Sequence, residues 1–281
     1  MDALFRAVVL AGLTFVGAAQ AVTNEVSWLR PSFYGKYDFS TAYHSRGRIC
    51  EDRPVFLQLT RIGTDIGPYG KVGLWNWDVS ALNGRRQNLY RRVWHEMDYG
   101  VFYRYDWQIN DEWSLTSDVM KDWITLPGAR GDRKGHSDAT IQEYRFYQML
   151  KNPYITPWYL VRRGLHPNDW LYFRVGLQKS FNLTDTLTLT PITFVELGSE
   201  NHFEYRYGSN PHGGRYRSGV QAMMAQLELA WKVADWISLM ATLSQFGILS
   251  GDARDGIVEN GAIGTRHRDF TLFAVGAVVK F

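Results

Sequence analysis
The sequence predicts an all-β protein, an antiparallel transmembrane β-barrel of about twelve strands. Three observations lead there. Alternation of polar and apolar residues with period two recurs along most of the chain. Short and long connections succeed one another, as short turns and long loops do in barrels that cross a membrane. The chain also stops on an aromatic residue that ends an apolar run, FTLFAVGAVVKF over 270–281.

The N-terminus is set apart from this pattern. Residues 1–6 carry a short charged start, 7–17 an apolar run, and Ala19-Gln20-Ala21 a small-x-small cleavage site. That is the build of an export signal, too short to span as a helix. Cleavage after Ala21 divides the chain into a signal peptide, 1–21, and a barrel, 22–281, of 281 − 21 = 260 residues. Beyond the signal no stretch is long and apolar enough for a helical span, and the mean hydropathy is −0.28. The net charge of +3 carries no global basic signal, so no nucleic-acid partner is expected. A lone cysteine, Cys50, excludes an internal disulfide.

The strands follow in order. Over 96–107, Glu96, Asp98, Arg104 and Asp106 alternate with Met97, Tyr99, Val101, Tyr103, Tyr105 and Trp107. The same alternation marks 170–181, 186–197 and 221–231. Three polar turns, at 109–115, 182–187 and 233–239, each feed such a strand, and Trp113 and Trp236 suit a membrane–water interface. Longer connections are expected at 83–92, 127–139, 162–169, 198–218 and 249–269. Strands are therefore expected at 32–43, 55–65, 71–80, 94–108, 113–124, 140–150, 155–162, 170–181, 186–197, 219–232, 237–248 and 270–281. Ten or fourteen strands are also compatible, because the segment 153–167 is short and carries Pro157. An even count places both termini on the periplasmic side. Closure requires the last strand to pair with the first.

Energy assigns the two faces. A Lys or Arg facing lipid at mid-bilayer costs about 2–4 kcal/mol, so the charged parity of each strand belongs to the lumen. Its expected ionisable residues are Lys36, Asp38, Asp78, Glu96, Asp98, Arg104, Asp106, Asp118, Asp122, Glu143, Arg145, Arg174, Glu196 and Glu228, an acidic set. Lys121 and Lys179 fall on the lipid parity near strand ends, where long side chains snorkel. On the hairpin around 110–112, the expected register opposes Asp98 to Asp122, Phe102 to Asp118 and Arg104 to Thr116. Opposed carboxylates make a cation-attracting constriction, or else belong to an ion-pair network that fills a narrow barrel.

The expected outer loops are basic, with Arg85, Arg86, Arg91 and Arg92 crowded in one of them. Such a rim either funnels anionic solutes or meets outer-membrane lipids and the phosphates of lipopolysaccharide. Aromatic and charged residues interleave at 202–207, HFEYRY, which reads as an extended strand above the membrane or a sugar-stacking face. Catalytic patterns are sparse. Of seven histidines only His95 lies in an alternating segment, and neither a Gly-x-Ser-x-Gly nor a His-Glu-x-x-His motif occurs. No catalytic residue, metal ligand or cofactor is expected.

One likeness adds to this reading. The stretch Tyr37-Asp38-Phe39-Ser40-Thr41-Ala42-Tyr43-His44-Ser45-Arg46-Gly47 with Pro54, then 72–78 (VGLWNWD) and 96–101 (EMDYGV), resembles the first strands of a porin-like family of uncharacterised bacterial outer-membrane β-barrel proteins. The resemblance implies a barrel inserted in the outer membrane and no particular substrate. Separately, Phe281 with Val279 and Phe273 at alternate positions resembles the signal read by the bacterial barrel-assembly machinery. Together these readings point to a narrow channel for a small solute, with an acidic lumen and a basic extracellular rim. A structural or adhesive surface barrel is the alternative, and a surface hydrolase a more distant one.

Overall fold
In a computed structural model, residues 30–82, 94–131, 136–166, 169–259 and 267–281 are described. The segment expected to be a signal, residues 1–21, and Arg85, Arg86, Arg91 and Arg92 lie outside them. Twelve long strands form the wall: β1 (Arg30–Ser40), β4 (Val55–Asp65), β5 (Lys71–Ala81), β6 (Trp94–Gln108), β7 (Ser114–Gly131), β8 (His136–Lys151), β9 (Thr156–His166), β10 (Trp170–Gln178), β12 (Leu187–Gly198), β13 (Gly219–Ala234), β14 (Ile237–Ile248) and β15 (Asp269–Lys280). Two short strands, β2 (Tyr43–Ser45) and β3 (Arg48–Glu51), make a separate hairpin, and β11 (Phe181–Asn182) adds a fragment beside β12. The helices are α1 (Glu200–Tyr207) and α2 (Gly251–Glu259).

The sheet closes on itself. Each wall strand pairs antiparallel with its neighbours in the chain, β10 pairs with β12, and β1 pairs with β15 from Tyr34↔Lys280 to Ser40↔Ala274. Phe281 seals the seam by exchanging two backbone hydrogen bonds with Phe33, at 3.0 and 3.1 Å. Its ring packs 5.4 Å from Phe33 and 6.5 Å from Trp236. Closure pairs the edges that an open sheet would leave bare in hydrocarbon.

The tight links at 66–70, 109–113, 152–155, 179–186 and 235–236 share one end with both ends of the barrel sheet, which we term the turn end. The opposite, loop end carries the β2–β3 hairpin, α1 and α2. Two expected long loops are instead mostly strand. β7 and β8 run on to the pair Gly131↔His136, and β9 continues to His166. Antiparallel pairing continues above the wall there, because pairing satisfies the backbone more fully than a loop does.

The two faces separate as the lipid cost requires. On β6, Tyr99, Val101 and Tyr103 are 53%, 45% and 40% exposed, while Glu96, Asp98 and Phe102 are 5%, 3% and 6% exposed. Leu74, Val175, Leu227, Leu243 and Phe273 continue the outward apolar surface around the wall. Left in water, each such side chain forgoes about 1.5–3 kcal/mol of burial, so this surface belongs in a bilayer. Lys121 stays tolerable on the outer face because its ammonium lies 4.5 Å from the Tyr144 ring and bonds to Gln142 Oε1 at 3.2 Å. Asp78 departs from expectation. It pairs with outward-facing Met97, since Trp75, Trp77 and Val79 take the inner row of β5. It sits near the loop end, where the cost of a lipid-facing charge fades.

Candidate functional site at the plugged end of the lumen
The loop end of the lumen is filled by the chain itself. Between β1 and β4 the chain turns inward as the β2–β3 hairpin. At its tip Arg46 has φ 49° and Gly47 φ 81°. A Cβ on Gly47 would stand 2.1 Å from Gln221 Nε2 and 2.9 Å from the Tyr207 hydroxyl, so only glycine fits between β13 and α1. Three side chains then tie the hairpin to wall acids. Tyr43 donates its hydroxyl hydrogen to Glu96 Oε2 at 2.9 Å. Arg46 reaches Glu143 at 3.4 Å and Glu96 at 3.6 Å, and His44 Nε2 lies 3.3 Å from Glu196 Oε2.

The second half of the plug is helical, where alternation suggested a strand. Ser199 caps α1 by accepting from His202 N, Glu200 lies in the first turn and Arg206 in the last, and Phe203 packs on Tyr207 one turn away. Arg206 donates to the Ser45 carbonyl at 2.5 Å and to Cys50 Sγ at 3.1 Å. Arg48 donates to the Arg206 carbonyl at 2.7 Å, and Tyr207 to the Gly47 carbonyl at 2.7 Å. His202 is fully buried, 5.1 Å from the rings of both Trp170 and Tyr172, with Nδ1 3.1 Å from Gln221 Oε1. Burial, then the charges of Arg206 and Arg46, hold its pKa down to about 3. An apolar roof of Ile49, Phe203, Tyr216, Phe246 and Ile257 brings hairpin, helices and wall into one cluster.

Below the hairpin the wall is cross-linked by charge. Glu143 is held by Arg162 at 2.8 Å and Arg145 at 3.8 Å as well as by Arg46, and Arg145 pairs with Asp122 at 2.5 Å. Arg174 pairs with Glu196 at 2.5 Å, and Tyr172 donates to the same carboxylate. Arg61 crosses from β4 to grip Asp118 with both terminal nitrogens, at 3.1 and 3.2 Å, its guanidinium 4.2 Å above the Phe102 ring. Gly63 and Gly73 face each other beside that ring, which a Cβ on either would crowd to 2.9 or 2.7 Å. Toward the turn end the charges are more open. Arg104 pairs with Asp106 at 3.1 Å, and Lys36 lies between Asp38 and Glu228 at 3.5 and 3.7 Å.

The hairpin register differs from expectation by two residues. Asp98 faces Ile124, Asp122 faces Gly100, and Arg104 faces Asp118. Asn110 causes the shift. Its side-chain oxygen accepts from Glu112 N and Trp113 N, both at 3.0 Å, and Ile109 N bonds to the Trp113 carbonyl, which fixes a three-residue turn. Asp98 and Asp122 are therefore diagonal neighbours, both buried, and each has one carboxylate oxygen, Oδ1, without a hydrogen-bond partner. The wall sites Glu96, Asp98, Asp122, Glu143, Arg145, Arg174 and Glu196 are gathered at or just below the plug, whereas Asp118 lies lower, opposite Arg104, and Asp106 and Glu228 also lie toward the turn end. Sequence reasoning missed Arg46, Arg61 and Arg162 as lumen groups, which pair with Glu96, Glu143 and Asp118 and offset part of the acidic set. Arg206, expected in a basic outer loop, turns into the plug instead. His95 lies where side chains are not described.

These features define a class: a closed, membrane-spanning antiparallel β-barrel with an ion-paired lumen and an inward-folded plug at one end. No protein-family model and no curated protein matches the chain. Among solved structures it is similar to outer-membrane porins at low identity. The KdgM porin in complex with disordered oligogalacturonate has a TM-score of 0.47 at 10% identity, over 89% of this chain and 99% of that one. The NanC porin has a TM-score of 0.46 at 12% identity, over 90% and 100%. The outer membrane protein OprD from Pseudomonas aeruginosa has a TM-score of 0.42 at 11% identity, over 90% and 65%.

Proposed function
We propose that the protein is an outer-membrane channel for small solutes, closed at its extracellular end by the β2–β3 hairpin and α1. The observation that carries this reading is the contrast along the lumen. The turn half is lined by half-buried polar groups such as Lys36, Glu228, Arg104 and Gln178, and the loop half is packed shut by a segment tied to the wall through buried ion pairs and hydrogen bonds beneath its apolar roof. A plug held by ion pairs and hydrogen bonds can be released as a unit, whereas a barrel that only needed filling would be served by apolar side chains. When the hairpin leaves, Glu96 and Glu143 lose Arg46 and Glu196 loses His44, while Asp98 and Asp122 face the passage. The open lumen then favours cations, and the acidic lumen expected from sequence becomes a property of the open state. A basic rim would meet lipopolysaccharide phosphates around the mouth.

Two tests decide this. Detergent-extracted protein should migrate faster on a gel unheated than boiled, as closed barrels do. Planar-bilayer recording should show small, cation-preferring openings separated by long closures. A barrel that never conducts, with the plug intact or deleted, would instead support the structural or adhesive alternative. The hydrolase reading gains no support from the plug, because the contacts of His44 with Glu196 and of His202 with Gln221 set neither imidazole beside a serine, threonine or cysteine.

A further inference from the structure
The outer wall between β10 and β15 carries a groove of about 510 Å³ that the channel reading does not use. Register sets Leu177, Thr193, Ala225, Gln245 and Thr271 side by side in one outward row. Lys179, Pro191, Leu227 and Leu243 form the next row toward the turn end. The small side chains of Thr193 and Ala225 make the depression, and the leucines make its banks. At the upper end Thr271 donates to Gln245 at 2.6 Å, so that hydroxyl is satisfied within the wall. At the lower end stands Lys179, whose ammonium bonds to the Pro153 carbonyl. Among the described residues no carboxylate lies within ion-pairing distance of it.

We propose that this groove binds one acyl chain of an anionic phospholipid whose phosphate pairs with Lys179. Both charge and length support that occupant. Five strands about 4.8 Å apart give the groove a length of about 19 Å. With strands tilted about 45°, it climbs about 13 Å, close to half of a hydrocarbon core of about 30 Å. A chain anchored by its headgroup at Lys179, beside the turn end, would therefore run through one leaflet along the groove. The inference rests on the membrane-barrel reading and not on conduction.

Barrels reconstituted in nanodiscs of mixed phosphatidylglycerol and phosphatidylcholine, then released into mild detergent, can be weighed by native mass spectrometry. One retained lipid per barrel is expected, with phosphatidylglycerol preferred. Lys179→Gln should lower that preference about fivefold, the effect of one basic residue near a lipid surface. Ala225→Trp, or Thr193→Phe as a second variant filling the same depression, should abolish retention of both lipids, while Leu229→Trp, outward but beyond the groove, should not. Equal retention in Ala225→Trp and Thr193→Phe barrels that still shift on heating would overturn the inference and leave the barrel standing. So would wild-type dimers that Ala225→Trp dissociates, since the occupant would then be a second copy. Failure of the wild-type protein to shift on heating would overturn the membrane reading and this inference with it.

Discussion

Replacing Arg46 by methionine should unlatch the plug. Arg46 is 3% exposed and is the hairpin's ionic tie to both Glu96 and Glu143. Breaking a buried pair by removing one partner costs about 3–5 kcal/mol when the stranded charge is left alone. Here the acids are not left alone. Glu143 keeps Arg162 and Arg145, and Glu96 keeps the Tyr43 hydroxyl, so the low end, about 3 kcal/mol, applies to the closed state. That shifts the balance between closed and released hairpin about 150-fold toward release. Single-channel recording on Arg46→Met should show open probability rising by roughly two decades at unchanged unitary conductance. Arg46→Lys keeps the charge without the forked donors and should fall between. A folded Arg46→Met barrel with wild-type open probability would refute the latch. So would one whose unitary conductance, and not its open probability, changed, because that would make Arg46 a pore-lining charge.

Three further outcomes follow from the same geometry. Deleting Phe281 removes two backbone bonds to Phe33 and the packing against Phe33 and Trp236, so the heat-modifiable band should appear more slowly during refolding into vesicles, with ion selectivity unchanged once folded. Asp98→Asn combined with Asp122→Asn should lower the cation preference read from reversal potentials, and an unchanged reversal potential would remove these residues from the passage. Closure should also weaken in acid. His202, with an ordinary value of 6.5, is held to about 3 when packed, so the released plug binds more protons than the closed one between those values. Stabilisation is complete above about pH 6.5 and is lost as pH falls toward 3, at up to about 1.4 kcal/mol per pH unit. Open probability measured against pH should rise across that window, and His202→Gln should flatten the His202 part of the rise.

Much of the wall was legible because the bilayer imposes one rule on every strand. Twelve strands, their order and the seam between β1 and β15 follow from alternation and connection length, which act locally and repeat. Where the rule relaxes, the reading failed. On β4 the inner row is Leu57 and Leu59 with Arg61, while Gln58 and Thr60 share the outward rows, so the charged parity could not be told and Arg61 went unnoticed. Asp78 was placed inside for the same reason. Arg162 is the end of the strand expected at 155–162 and the start of the expected loop, whereas β9 runs on to His166 and sets Arg162 between Arg145 and Tyr172. The plug was the least legible part, because HFEYRY alternates as a strand and also repeats at helical spacing. Ser199 followed by Glu200 was the cue for a helix cap. Arg46 and Gly47 could be read as a turn, but nothing local says that a turn points inward.

The turn at Asn110 moved the β6–β7 register by two residues, and two is the period of a strand. Had it moved the register by one, every carboxylate on one of the partners would have been turned toward lipid, and the barrel would not have formed. Moved by two, the same side chains keep the same surroundings and merely exchange neighbours: Asp118 gains Arg104 and Asp122 gains a glycine. Turn length in such a wall is therefore a setting with coarse steps. Even steps re-deal the charges across a passage while insertion goes on untouched, and a lineage of barrels could retune what passes through them by editing residues that never touch the solute.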